Sequence, residues 1–227
     1  MTDTALQVQA LAGLLNDRYS CRAFLDRPVP EADMREMFAV AQRTPSWCNS
    51  QAWQVIVTSG ATTDRFREGL RADAANSPSD AYDIPGPEKY TGVYLERRRG
   101  AGFGLYNALG IARDDYAARN AQMARNFDLF GAPHTAIVTS DRLLGTYGAV
   151  DCGAYVSTLL LAAQSLGIAA IPQAAIARQS RFVREFFGIG EDRLVVCAVS
   201  FGYADEEHPA NSFRTDRASV DEAVDFR

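Results

Sequence analysis

The chain has 227 residues, of which 47% are hydrophobic and 22% charged, enough apolar material to bury a substantial core as one domain spanning 1–227. A formal charge of −5 with no strongly basic face argues against nucleic acid as the main partner. Cys21, Cys48, Cys152 and Cys197 are scattered without a C-x-x-C pair, a spacing that suggests neither a zinc site nor a redox dithiol and fits reduced thiols in a cytoplasm.

Leu6, Gln9, Ala10, Gly13 and Leu14 set an amphipathic first helix that ends near Asn16. Its acidic residues and alternating polarity differ from the continuous apolar run of a secretory signal. Tyr19 to Phe24 is predicted to run extended. After Pro28 and Pro30, the spacing of Met34, Met37, Phe38 and Ala41 predicts a helix with Glu31 and Asp33 in its first turn, which must stop before Pro45. Gln54 to Thr58 is a short β-branched strand closed by Ser59-Gly60. A helix over Thr63–Ala75 precedes a long irregular connection, Asn76 to Pro87, rich in Ser, Pro, Asp and Gly.

Helices are predicted over Tyr94–Ile111 and Asp114–Phe127, and a strand over Thr135–Thr139. A helix over Asp151–Leu166 with Gly167 as its stop precedes a strand, Ile168–Ile171, expected to end at Pro172. The apolar stretch from Ala149 to Ala177 is broken by Asp151, Gln164, Pro172 and Gln173, so it fails as a membrane span. Phe182–Phe187 continues as a helix, Leu194–Ser200 is a last core strand, and Ala204–Arg227 is a polar tail. Few strands among many helices make this an α+β pattern.

Two segments carry chemistry. In extended backbone Arg18, Ser20 and Arg22 share a face while Tyr19 and Cys21 turn away. Two guanidinium forks flanking a hydroxyl suit a phosphate or a polyol; the same arginines could instead pair with Asp17 and Asp26. Pro45-Ser46-Trp47-Cys48-Asn49-Ser50-Gln51-Ala52-Trp53 is a loop delivering the chain into its first strand, a position that commonly lines ligand sites.

Arg18-x-Ser20-x-Arg22 followed by Pro45-Ser46-x-x-Asn49-x-Gln51-Ala52-Trp53 resembles the FMN-dependent nitroreductase family, with Ala52 where that family usually has proline. The likeness continues through Ile171-Pro172-Gln173-Ala174-Ala175 to Arg217 and is nearest the nitrobenzoate reductase branch. It implies a mixed central sheet flanked by helices, in an intertwined homodimer whose exchanged C-terminal extension embraces the other subunit, with FMN bound at the interface.

By that resemblance Arg18, Tyr19, Ser20 and Arg22 would contact the phosphate, ribityl chain and pyrimidine edge of FMN. Pro45, Ser46, Trp47 and Asn49 would arrive from the other subunit. Pro172, Gln173 and Ala174 would line the ring, and Arg217 would hold phosphate. Some of these have plainer readings: Arg217 as a partner of Asp216 or Asp221, Pro172 as a strand terminator, Trp47 as an interface anchor rather than a wall of the substrate cleft. The implied activity is ping-pong transfer of electrons from NADH or NADPH to a nitroaromatic. The same scaffold admits quinones, activated alkenes or halogenated aromatics, fragmentation of the flavin itself, or a flavin-binding module without turnover.

Other chemistries lack parts. There is no H-E-x-x-H, G-x-S-x-G or P-loop, and Gly100-Ala101-Gly102-Phe103-Gly104 has no preceding strand and lacks the last dinucleotide-binding glycine. Arg97-Arg98-Arg99 reads as a solvated helical face, or as an attractor of an anionic substrate or nicotinamide phosphate.

Overall fold

In the computed structural model, which describes residues 2–76 and 82–227, four strands form one sheet. They are β1 (Trp53–Thr58), β2 (His134–Asp141), β3 (Ala169–Gln173) and β4 (Arg193–Gly202), ordered β1-β2-β4-β3. All pairings between these strands are antiparallel, and the parallel component is a single bridge from Ser20 to Ala170 that lays the N-terminal motif along the β3 edge. β3 runs through Pro172 to Gln173 instead of ending at the proline, because an edge strand tolerates a residue with no N–H.

The sheet is buried on both faces, so β2 and β4 are buried almost throughout instead of alternating with exposed positions. Alternation sends Ala136 and Val138 to one core and Ile137 to the other. On β4 a bulge leaves Val196 unpaired, since Val138 faces Cys197 while Thr139 faces Val195. The extra residue resets the alternation: Val195 and Ala198 share one core, Val196 and Cys197 the other.

Helices α2 (Glu31–Ala41) and α6 (Gly145–Ser165) cover the first face, with Met37, Ala41, Tyr155 and Leu159 packed against it. The second face lies under α3 (Ala61–Asn76), α7 (Ala174–Ala177) and α8 (Ser180–Phe187), where Phe182, Phe186 and Phe187 surround Phe66. α6 begins at Gly145, well before the predicted Asp151. The glycines there weigh against a helix on propensity, yet Gly148 is seated against Ser140, Leu144 and Ala52, where a Cβ has no room.

Helices α4 (Gly92–Ala108) and α5 (Tyr116–Ala124) form a hairpin outside the cores. Gly104, part of the false dinucleotide fingerprint, is where the ring of Phe213 crosses α4. α1 (Asp3–Asp17) buries none of its residues, and Leu6, Val8, Leu11 and Leu15 are each about half exposed. The tail is partly built: it holds a turn at Pro209–Asn211 and a short helix, α9 (Val220–Ala223), tied to α4 by the Arg97–Glu222 pair at 3.3 Å.

Within the predicted connection 76–87, residues 77–81 lie outside the described set. Its return is pinned by Asp83, which accepts from buried Arg184 at 2.5 Å and from the Val195 amide at 2.7 Å. His134, 1% exposed, is structural: Nε2 accepts the Val29 amide at 2.9 Å, leaving Nδ1 to face Ser59 Oγ and Thr58 O.

Candidate functional site

The bridge to β3 and the Cys21 amide on Ala170 O lay Arg18–Arg22 along the sheet edge in extended backbone; Cys21 turns inward as predicted, but Tyr19 is as partly open as Arg18 and Ser20. Cys21 and Ala23 are buried, while Arg18, Ser20 and Arg22 remain partly open. A residue without a motif fixes this strand: Asn211, 3% exposed, donates to Ala23 O and Asp205 O and accepts the Arg22 amide, each at 2.8 Å.

Neither arginine takes the carboxylate partner that the sequence offered. Arg22 Nη1 donates to Ser20 O at 3.1 Å, not to Asp17 or Asp26. From the tail, Arg214 lies 3.7 Å over the Tyr19 ring and donates to Asn211 O, while Arg217 donates to Thr215 and to the backbone of Asp216. Burial lowers the pKa of Arg18, and the neighbouring positive charge of Arg217 lowers it further; burial does the same for Arg22. Among the described residues, none of these four guanidiniums is in an ion pair. Arg18 and Arg217 brought together without a counter-ion are unfavourable for the protein alone and suit an anionic ligand.

Beside Arg22 and Ser20 opens a cavity of about 230 Å³, walled by Pro172 and Ala174 of the β3–α7 junction and by Tyr106, Met123 and Asn126 from α4 and the α5 end. Pro172 and Ala174 are exposed and Gln173 between them is 2% exposed. Its side chain is fully occupied: Nε2 donates to Asn126 O at 2.9 Å and Oε1 accepts from Ser200 Oγ at 2.6 Å. Gln173 therefore offers this cavity its backbone, and its side chain fixes Asn126. Ala174 opens α7, whose first amides have no partner within the helix.

The second motif forms a tight turn at Trp47–Asn49 in which Cys48, Asn49 and Gln51 all have positive φ, at 49°, 58° and 47°. Such conformations cost non-glycine residues on the order of 1 to 3 kcal/mol each. The turn is held by Asp151 of α6, whose Oδ1 and Oδ2 accept from the Trp47 amide at 3.1 and 3.2 Å, Oδ2 also taking the Ser50 hydroxyl at 3.2 Å. Ser46 Oγ accepts the Gln51 amide at 2.9 Å. Trp47 is 60% exposed, its ring 4.6 Å from Tyr147. Ala52, in place of the family's proline, is buried, and its carbonyl accepts from Arg193 at 2.9 Å.

One protomer does not bring the two motifs together. Trp53 pairs at the Ser140 end of β2, whereas Ser20 bridges to Ala170, which is level with Phe201 and His134 at the other end and edge. Three strand spacings and the rise along β2 put Trp53 and Ala170 roughly 25 Å apart. Among the described residues there is no group of side chains able to hold a metal ion, and no helix is long and apolar enough to cross a membrane.

This two-faced antiparallel sheet, with a cationic strand on its edge and a polar cavity at the β3–α7 junction, has close counterparts. The nitroreductase family model matches residues 15–203. Nitroreductase NfnB of Mycolicibacterium smegmatis is 38% identical over 96% of this chain and 93% of its own, and the 4-nitrobenzoate reductase of a Nocardioides species is 34% identical over 96% and 90%. The solved structure of the FMN-dependent nitroreductase NfnB from Mycobacterium smegmatis, in complex with NADPH, superposes with a TM-score of 0.92 at 37% identity, over 97% of this chain and 99% of that one. The chain belongs to the nitroreductase family.

Proposed function

We propose that this chain is an FMN-dependent nitroreductase, an oxidoreductase that uses NADPH or NADH to reduce nitroaromatic compounds. The observation that carries the reading is Arg22 and Ser20 on the wall of the Pro172–Ala174 cavity, with Arg18 on the same segment facing the charge of Arg217 and neither arginine in an ion pair among the described residues. FMN fits that donor set: its phosphate matches Arg18 and Arg217, its ribityl hydroxyls Ser20, and its pyrimidine edge Arg22, with Tyr19 buttressed under Arg214. The relatives' names carry the same cofactor and substrate class.

When bound, FMN would supply the hydride chemistry between a nicotinamide and an acceptor that use the same cleft in turn. The protein's part is orientation and electrostatics. Pro172 presents a flat apolar surface and Ala174 an amide for a ring nitrogen. Arg22 places a positive charge where negative charge accumulates on reduction, which favours the reduced form. No side chain serves as a nucleophile.

The working unit we propose is a homodimer. Its support is the wholly unburied α1 with its row of exposed leucines, and the gap between motifs, which a second subunit closes by donating Pro45, Ser46, Trp47 and Asn49. The tail embraces the partner while leaving Arg217 beside its own subunit's Arg18. Free cysteines at all four positions fit a cytoplasmic enzyme. Anaerobic spectra test the reading: purified protein should be yellow, bleach on NADPH or NADH and recover on 4-nitrobenzoate. A colourless protein that takes up no added FMN overturns it.

A further inference from the structure

We propose that Asp151 is a positioning residue for the acceptor-binding half of the site, holding the strained Pro45–Gln51 turn in shape and, with Tyr147, aiming the Trp47 ring; this rests on the nitroreductase reading above. Asp151 is the only buried carboxylate among the described residues, at 7% exposure, and it forms no ion pair. Its charge is met by donors of the turn, the Trp47 amide on both oxygens and the Ser50 hydroxyl on one.

That arrangement couples the two. Releasing the turn would strand a buried carboxylate, and removing the carboxylate would free a turn whose backbone, positive in φ at three residues, has every reason to relax. Tyr147 sits one helical turn before Asp151 on the same face of α6, so one helix grips Trp47 by both backbone and ring. Gly148 between them lets α6 come this close to Ser140 on β2. The exposed indole is thereby fixed as a planar wall, the shape that selects flat aromatic acceptors.

The test is made on the FMN-loaded enzyme. In Asp151→Ala, hydrogen exchange across 45–53 should quicken by about tenfold or more, as expected for a lost charge-assisted bond, with the remaining peptides unchanged. The KM for 4-nitrobenzoate should rise by a similar factor, with a smaller change in kcat. Asp151→Asn, which keeps one acceptor oxygen for the Trp47 amide, should recover part of both effects. Tyr147→Leu, at an exposed position, should raise KM without quickening exchange at Gln51, and it carries the test if Asp151→Ala does not fold. Wild-type exchange and KM in these variants, or a fall in melting temperature with neither change, overturns the proposal. The exchange measurement needs no turnover, so an enzyme inert to nicotinamide would sink the nitroreductase reading and leave the Asp151 result legible.

Discussion

Arg18 and Arg217, which stand near opposite ends of the sequence, sit close enough for their charges to oppose one another, and no carboxylate pairs with either. Under the proposed function this is where the FMN phosphate binds. Arg217→Ala should therefore weaken FMN binding by about 1.5 to 3 kcal/mol, while riboflavin, which has no phosphate, binds the variant and the wild type equally. Titration of both flavins by fluorescence quenching checks this, and an equal loss for riboflavin would remove Arg217 from the phosphate.

The proposed place of Arg22 is at the other end of the cofactor. Arg22→Ala should lower the reduction potential of bound FMN and weaken binding by about 1.5 to 3 kcal/mol, the worth of a charge-assisted hydrogen bond. Arg22→Lys should restore part of the potential, since charge survives without the planar fork. Redox titration at saturating FMN decides, and wild-type potential in the alanine variant rules out the role.

Burial lowers the pKa of His134 below 6.5 despite its bond to Thr58 O. The unfolded chain therefore binds the proton first as pH falls, so this group's contribution is fully present above pH 6.5 and is lost from there down to the folded value. Urea unfolding from pH 7.5 to 5 should show the decline, and His134→Asn should remove it. A wild-type profile no steeper than that of the variant would contradict the assignment.

Asp83 and Arg184 form a pair 12% and 9% exposed. Breaking a buried pair from one side is expected to cost about 3 to 5 kcal/mol. Asp83→Ala should thus lower the unfolding free energy by that order, strand the Val195 amide beside the β4 bulge, and leave FMN binding intact. A loss under about 1 kcal/mol would mean that the bond does not persist in solution.

For the dimer, Leu11→Glu with Leu15→Glu on α1 should yield monomers by light scattering, and these should lose FMN affinity if the Pro45–Asn49 turn comes from the partner. Monomers that bind FMN with wild-type affinity would refute the shared site.

Local regularities were the legible part of this chain. The β-branched runs of β1, β2 and β4 announce themselves over a few residues, so the existence of these strands follows from the sequence. Asn211 and Asp151 do not: each bonds to segments more than 100 positions away, and no short pattern records such a partner. The start of α6 is hidden for a related reason, because the absence of a side chain at Gly148 is explained by Ser140 on another element. The indifference of Gln173's side chain to the cavity likewise depends on Asn126 and Ser200, which its neighbours in sequence do not reveal.

Asn211 ties the N-terminal strand to the tail that carries Arg214 and Arg217. A phosphate shared by Arg18 and Arg217 would close the same clasp a second time, so a small diffusible molecule would do for this fold what a crosslink between its ends does elsewhere. Losing that molecule would unlatch the tail before it loosened the sheet, and the first peptide bonds to become open to a protease would be those beyond Asn211.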